Sequence, residues 1–220
     1  MSLMDRVKAI LLSPKTEWPV IDGEQATVGS IYTGYVIPLA LIPAIASFIG
    51  LSVFGMHVLG VSVKIPLGAG ITGAIVRYLL SLAGTYVLAL IIDALAPSFG
   101  GTRSSIQALK VSAYASTASW VAGIFALIPA LTILGLLGLY SLYLLFLGLP
   151  VLMKAPQEKA AGYTIVVIVC ALPNRPGSGG LARHSDLYVF LTSPTFVSPP
   201  ILRISSLLVS GAYEGSAWRI

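Results

Sequence analysis

Residues 142–169, LYLLFLGLPVLMKAPQEKAAGYTIVVIV, run apolar as far as Met153, turn charged between Lys154 and Lys159, and run apolar again. In a water-soluble domain this would be a loop between two core elements; in a membrane protein it is the aqueous exit between two crossings. Composition decides between them. Of the 220 residues, 56% are hydrophobic and 10% are Asp, Glu, Lys or Arg, and the mean hydropathy is +0.92. A soluble domain carries about a quarter charged residues, and so few charges cannot cover a surface folded in water. The stretch therefore predicts a crossing that ends at Met153, with KAPQEK outside the bilayer.

Working outward, the segment from Val111 to Met153 holds no Asp, Glu, Lys, Arg or His, enough for two antiparallel crossings. IPALT at 128–132 is the expected turn between them, because Pro129 cannot continue a helical hydrogen-bond ladder. This gives spans near 109–128 and 132–153. Upstream, Gln25 to Val63 holds no Asp, Glu, Lys or Arg, and a first span falls near 31–55, with Tyr32 and Tyr35 at one interface. Pro38 and Pro43 predict kinks in it, which a membrane bundle tolerates when neighbours satisfy the freed carbonyls. A second span near 71–95 contains Arg77 and Asp93. They lie about 24 Å apart in helical rise and on nearly opposite faces, so they cannot pair and are expected near opposite ends. Downstream, the apolar run from Ala160 ends at Pro173, short of the roughly 20 residues a helical crossing needs.

The expected fold class is all-α: a polytopic transmembrane helical bundle with four full spans and a short or truncated fifth. Three regions follow: a cytoplasmic N-terminal segment over 1–30, the transmembrane domain over 31–172, and an irregular tail over 173–220. The tail opens with LPNRPGSGGLARHSD, and Pro194, Pro199 and Pro200 then defeat both a regular helix and a central strand. The sudden rise of Arg, Pro, Gly and Ser inside an expected helix suggests a shifted reading frame or an altered gene end from about residue 171. Such a tail is also compatible with disorder.

The net charge of +5 does not point to nucleic acid, because the basic residues stand singly between apolar runs. They do set an orientation. Arg6, Lys8, Lys15, Arg103, Lys110, Lys154 and Lys159 fall on one side and Lys64, with Arg77, on the other, so the N-terminus is expected in the cytoplasm. MSLMDRVKAILLSPKTEW carries Asp5, Glu17 and a proline and lacks a small-residue cleavage site, so it reads as a mature amphipathic N-terminus. The single cysteine, Cys170, permits no internal disulfide.

Several patterns invite a chemical reading. GAGITG, Gly68 to Gly73, matches G-x-G-x-x-G with Asp93 twenty residues after its last glycine, the spacing of a dinucleotide site. The following helix is apolar all round and no β-α-β context surrounds it, so small residues entering a membrane helix account for it better. In the third span Ala115, Ser119 and Gly123 form one four-residue stripe and Ala118, Ala122 and Ala126 another, as close helix packing requires. Ser112, Ser116 and Thr117 offer a minority reading as a polar path. Asp93 and Arg77 are weak functional candidates, since ionisable groups in spans are costly and often functional. Against that, both could lie near span ends and snorkel. DGE at 22–24 reads as a solvated turn or helix cap. His57 and His184 are the only histidines and no H-E-x-x-H, catalytic dyad or Walker loop is present. No catalytic residue, metal ligand or cofactor is expected.

SPKTEWPVI before the first span, SFGGTRSSIQALKVSAYAS leading into the third, and YSLYLLFLGLPVLMKAPQEKAAGYT across the fourth together resemble the Yip domain family of small five-span membrane proteins. The resemblance covers roughly residues 5–169, with Tyr140 to Thr164 its most specific part. It implies a cytoplasmic N-terminus and five helices in a compact bundle, with the short bacterial-type members the better match. Those members have no settled biochemical activity. Eukaryotic members are associated with Rab-type GTPases, but this chain lacks their long polar N-terminal region, so small-GTPase binding is not implied. Two departures stand out: STAS where members often have a proline after AYA, and the break at ALPNRPGSGG inside the fifth span.

The expected function is a non-enzymatic membrane-organising or protein-interaction role in a bacterial cytoplasmic (inner) membrane. The expected partners are the lipid bilayer and either another membrane protein or further copies of the chain. A small transporter or channel subunit using Asp93 and the Ser/Thr face of span three is the alternative. A soluble reading would require Val111 to Met153 to be buried within one globule.

Overall fold

The computed structural model describes residues 2–58, 61–63 and 66–171. Two short helices come first. In α1 (Leu3–Leu12) the Ser2 hydroxyl accepts from the Asp5 N–H at 3.2 Å, and Asp5 adds a negative charge to the positive end of the helix dipole. Pro14 opens α2 (Pro14–Gly23) at a position where its missing N–H costs nothing. Ile10, Trp18 and Ile21 are buried to 1% exposure or less, so this hairpin belongs to the core and is not a loose amphipathic leader.

Thr27 and Ser30 then form a reciprocal cap, each backbone N–H bonding the other hydroxyl at 2.9 and 3.1 Å. The helix they start, α3, runs over Val28–Phe54. It winds as a π-helix over Tyr32–Val36 and again over Gly50–Phe54. Pro38 can give no N–H to the Gly34 carbonyl, and the wider turn just before it absorbs the mismatch. Gly55, at φ +71°, leaves the helix and leads into an antiparallel hairpin, β1 (Met56–Val58) with β2 (Val61–Val63), Met56 opposite Val63.

Next is α4 (Leu67–Leu95), prolonged by a 3-10 turn to Phe99. It buries Ser81, Thr85, Ala89 and Ile92 on one stripe and exposes Ile75, Val76, Leu79, Leu80, Val87 and Leu90. Hydroxyls inward and aliphatic side chains outward suit a helix whose surroundings are hydrocarbon. The chain returns as α5 (Ser105–Ala115), α6 (Thr117–Ala122) and a 3-10 segment over Gly123–Leu127. After an extended Ile128, a second 3-10 segment over Pro129–Leu139 leads into α7 (Tyr140–Leu152). The last described helix, α8 (Ala160–Ala171), buries Ala160, Tyr163, Thr164 and Val167, a stripe with helical spacing.

The molecule is thus an all-α bundle bearing one small β-hairpin. Among the described residues three helices are long and apolar enough to cross a membrane: Val28–Phe54, Leu67–Phe99 and Ile133–Leu152. The span expected over 109–128 is divided. The Ser116 hydroxyl bonds back to the Ser112 carbonyl at 2.8 Å, a contact that bends helices, and the ladder restarts at Thr117. The described part of the fifth segment, α8, has 12 residues, about 18 Å of a roughly 30 Å hydrocarbon core. The region 173–220, with its proposed change of reading frame, lies outside the described residues, as does Lys64.

Candidate functional site

The densest polar chemistry lies where α1 and α2 meet the bundle. Arg6 donates from its two terminal nitrogens to Glu17 and to Glu24, and its guanidinium carbon stands 5.8 Å from the centre of the Tyr114 ring. Arg6 and Glu17 are each 6% exposed. Burial opposes the charge on Arg6, but hydrogen bonding to Glu24 and the charges of Glu24 and Glu17 outweigh it, so its pKa lies above the ordinary arginine value.

Beside this triad, Lys110 of α5 is 2% exposed and donates to the carbonyls of Ile21 at 2.8 Å and Glu24 at 2.5 Å. It caps the C-terminal end of α2, where the helix dipole favours a cation. Gln107, one turn earlier, donates to the Asp22 carboxylate at 3.0 Å and to its carbonyl at 3.2 Å. Lys154 pairs with the other oxygen of Asp22. The DGE run closes α2, with Glu24 exposed at the C-cap position, and its two carboxylates are paired as well. Asp22 and Glu24 are the anions to which α1, α5 and the α7 exit attach, and Gly23 belongs to α2.

Apolar contacts complete the dock. Trp18 lies against Gly148 so closely that a Cβ there would stand 2.7 Å from the indole, and Tyr140 donates to the Leu11 carbonyl at 3.1 Å. The loop after α4 joins the same end, since Thr102 N–H bonds the Met153 carbonyl at 2.8 Å. The loops carrying Arg103, Lys154 and Lys159 and the N-terminal hairpin thus share one end of the bundle.

Asp93 and Arg77 remain apart. Asp93 ends α4 and accepts from Ser104 N–H at 2.8 Å and Ser105 hydroxyl at 3.2 Å, which holds the N-terminus of α5. Arg77 is half-buried, about 15 Å of helical rise from the start of α4. Among the described residues it makes no hydrogen bond or ion pair.

The third-span hydroxyls are engaged by neighbours. Ser112 donates to the Thr85 carbonyl at 2.7 Å, Thr117 and Tyr35 share a 2.7 Å bond, and Trp120 donates to Ser81 at 3.1 Å. Ala115 is buried, while Ser119 meets Ser141 of α7 at 2.6 Å and Gly123 packs on Pro43 of α3. The stripe is shared between two neighbours because the helix tightens to 3-10 winding at Gly123. In GAGITG only Gly70 is crowded, its missing Cβ falling 3.2 Å from the Phe48 ring, whereas Gly68 and Gly73 face open space. Among the described residues no three His, Cys, Asp or Glu side chains could hold one metal ion.

Sequence reading missed the Arg6–Glu17–Glu24 triad and Lys110. The available signal was Arg6 and Glu17 on two short helices, with Trp18 and Ile21 on the second and Glu24 just past its end. A buried indole predicts that neighbouring charges are drawn in with it.

A model of the Yip1 domain matches residues 8–173. Inner membrane protein YohC of Escherichia coli (strain K12) is 28% identical over 166 residues, covering 73% of this chain and 85% of that protein. The protein of the same name from Escherichia coli O6:H1 gives the same figures. No solved structure matches.

Proposed function

The chain belongs to the Yip1 domain family of membrane proteins, and from that membership we propose that it works by association within the bilayer rather than by catalysis or transport. Its place is the bacterial inner membrane, as in the YohC name of its relatives. The N-terminal hairpin and the basic loops face the cytoplasm, because short basic loops stay on that side.

One observation carries the choice over a transporter: of the hydroxyls that would line a path along span three, Ser112 and Thr117 bond to the helices beside them and Ser116 bonds back to the Ser112 carbonyl. Asp93 is used likewise, as the anchor of α5. The outward surface of α4, from Ile75 to Leu90, is the face left for lipid or for another membrane protein.

Photo-crosslinking from Leu79 or Val87 in native membranes tests this. The reading expects a discrete protein adduct, either a second copy or another membrane protein. Lipid adducts alone, together with a solute flux that Asp93→Asn abolishes, would replace it with the transport reading.

A further inference from the structure

Outside the pair that joins Arg6 to Glu24 lies a cavity of about 390 Å³, bounded by Arg6, Glu24, Ser30, Gly34, Tyr35 and Tyr114. Its depth follows from α3. That helix has 27 residues, about 40 Å, so it outreaches a hydrocarbon core of about 30 Å by one or two turns. The cavity sits at those first turns, and Tyr35 and Tyr114, 4.5 Å between ring centres, form its wall. Tyrosines settle at the level of lipid headgroups. The opening therefore faces the headgroup layer and not bulk hydrocarbon.

The lining offers a matched pair of charges. Arginine has five N–H donors; Arg6 gives one from each terminal nitrogen to Glu17 and Glu24, leaving three for a further acceptor. A guanidinium with spare donors suits a phosphate, and Tyr114 lines the same wall. The Glu24 side chain is 41% exposed and can receive an ammonium. With one cation and one anion in the lining, a ligand of net charge would introduce an unbalanced charge, whereas a zwitterion would not.

We propose that this cavity binds the headgroup of a zwitterionic phospholipid carrying a phosphate and a primary ammonium, with phosphate toward Arg6 and Tyr114 and ammonium toward Glu24. The acyl chains leave past Gly34, beyond which a side chain would meet nothing within 4 Å. The inference goes beyond the association reading and does not depend on it.

Native mass spectrometry of the full chain in detergent tests it, with phosphatidylethanolamine, phosphatidylglycerol and inorganic phosphate offered at equal concentration. The expected result is phosphatidylethanolamine retained about fivefold or more over phosphatidylglycerol, with no phosphate adduct. Gly34→Phe fills the opening without touching the ion pairs and should lower that retention about fivefold. Glu24→Gln should bring the two lipids to about equal uptake. Equal uptake by the unmodified protein, or unchanged retention in Gly34→Phe, would overturn the proposal. Phosphate bound as well as lipid would make this a free-anion site and overturn it too.

Discussion

The divided segment from Ser105 to Leu127 is held by opposite chemistry at its two ends. Around Lys110 it is fastened by charge: an ammonium on two carbonyls of α2, an amide on Asp22, and the Arg6 triad one helix away. Around Ser119 and Gly123 it is fastened by closeness, through a hydroxyl pair with Ser141 and a glycine on Pro43. The first kind strengthens with burial but fails abruptly when one partner is lost, since a lone buried charge is left behind. The second is a sum of small terms that degrade gradually. The difference suits the setting, with water and headgroups available to complete ionic contacts at one end and only hydrocarbon around the other.

The largest expected effect lies at the ionic end. Glu17→Ala leaves Arg6 with half-exposed Glu24 alone and should destabilise the protein by about 3 kcal/mol, read as thermal unfolding in detergent. The double replacement Arg6→Met with Glu17→Leu should recover most of that loss, because neither charge is then buried. A double variant as unstable as the single would show that the two side chains act by shape and not by charge.

Next comes the apolar part of the same dock. Gly148→Leu drives a side chain into Trp18 and should cost about 1–3 kcal/mol. Combining it with Trp18→Ala should be less harmful than the sum of the two, as expected for residues sharing one space. Strict additivity would place Trp18 elsewhere.

Asp93 separates the structural role from a transport role. Asp93→Ala should cost about 0.5–2 kcal/mol through the lost cap on α5, while Asp93→Asn keeps an acceptor and loses little. The smallest effect belongs to the packed end: Ser119→Ala should cost about 0.6 kcal/mol, the usual size of an interhelical hydrogen bond in membranes. A loss there matching Glu17→Ala would erase the contrast between the two ends.

Features set by local sequence were legible before the structure. Apolar runs, uncharged in Val28–Phe54 and Ile133–Leu152 and interrupted only by Arg77 and Asp93 in Leu67–Phe99, located the three long helices, and Pro129 located the break before the segment that leads into α7. The family was recognisable from SPKTEWPVI and the run from Tyr140 to Thr164, and residues 8–173 match it. What escaped depends on contacts distant in sequence. Lys110 reaches Glu24 and Lys154 reaches Asp22, and no spacing rule connects such positions. The division of the third span also escaped, because Ser116 is tolerated in a helix and bends it only by the bond it chooses. The reading of 22–24 as a solvated turn or helix cap is right in position, with Glu24 exposed at the C-cap of α2, but the partners of Asp22 and Glu24 escaped for the same reason.

The central claim is that the N-terminal hairpin is clamped onto its own bundle through Asp22. Cysteines at both ends of that clamp, Asp22→Cys with Lys154→Cys in a Cys170→Ser background, should be treated in native membranes with a bifunctional thiol reagent about as long as the lysine side chain it replaces, and the product sized by electrophoresis. The account predicts a rapid intramolecular cross-link that leaves the chain monomeric and shifts its mobility. Cysteines that stay unlinked in folded protein, or a cross-link formed only between two chains, would contradict it.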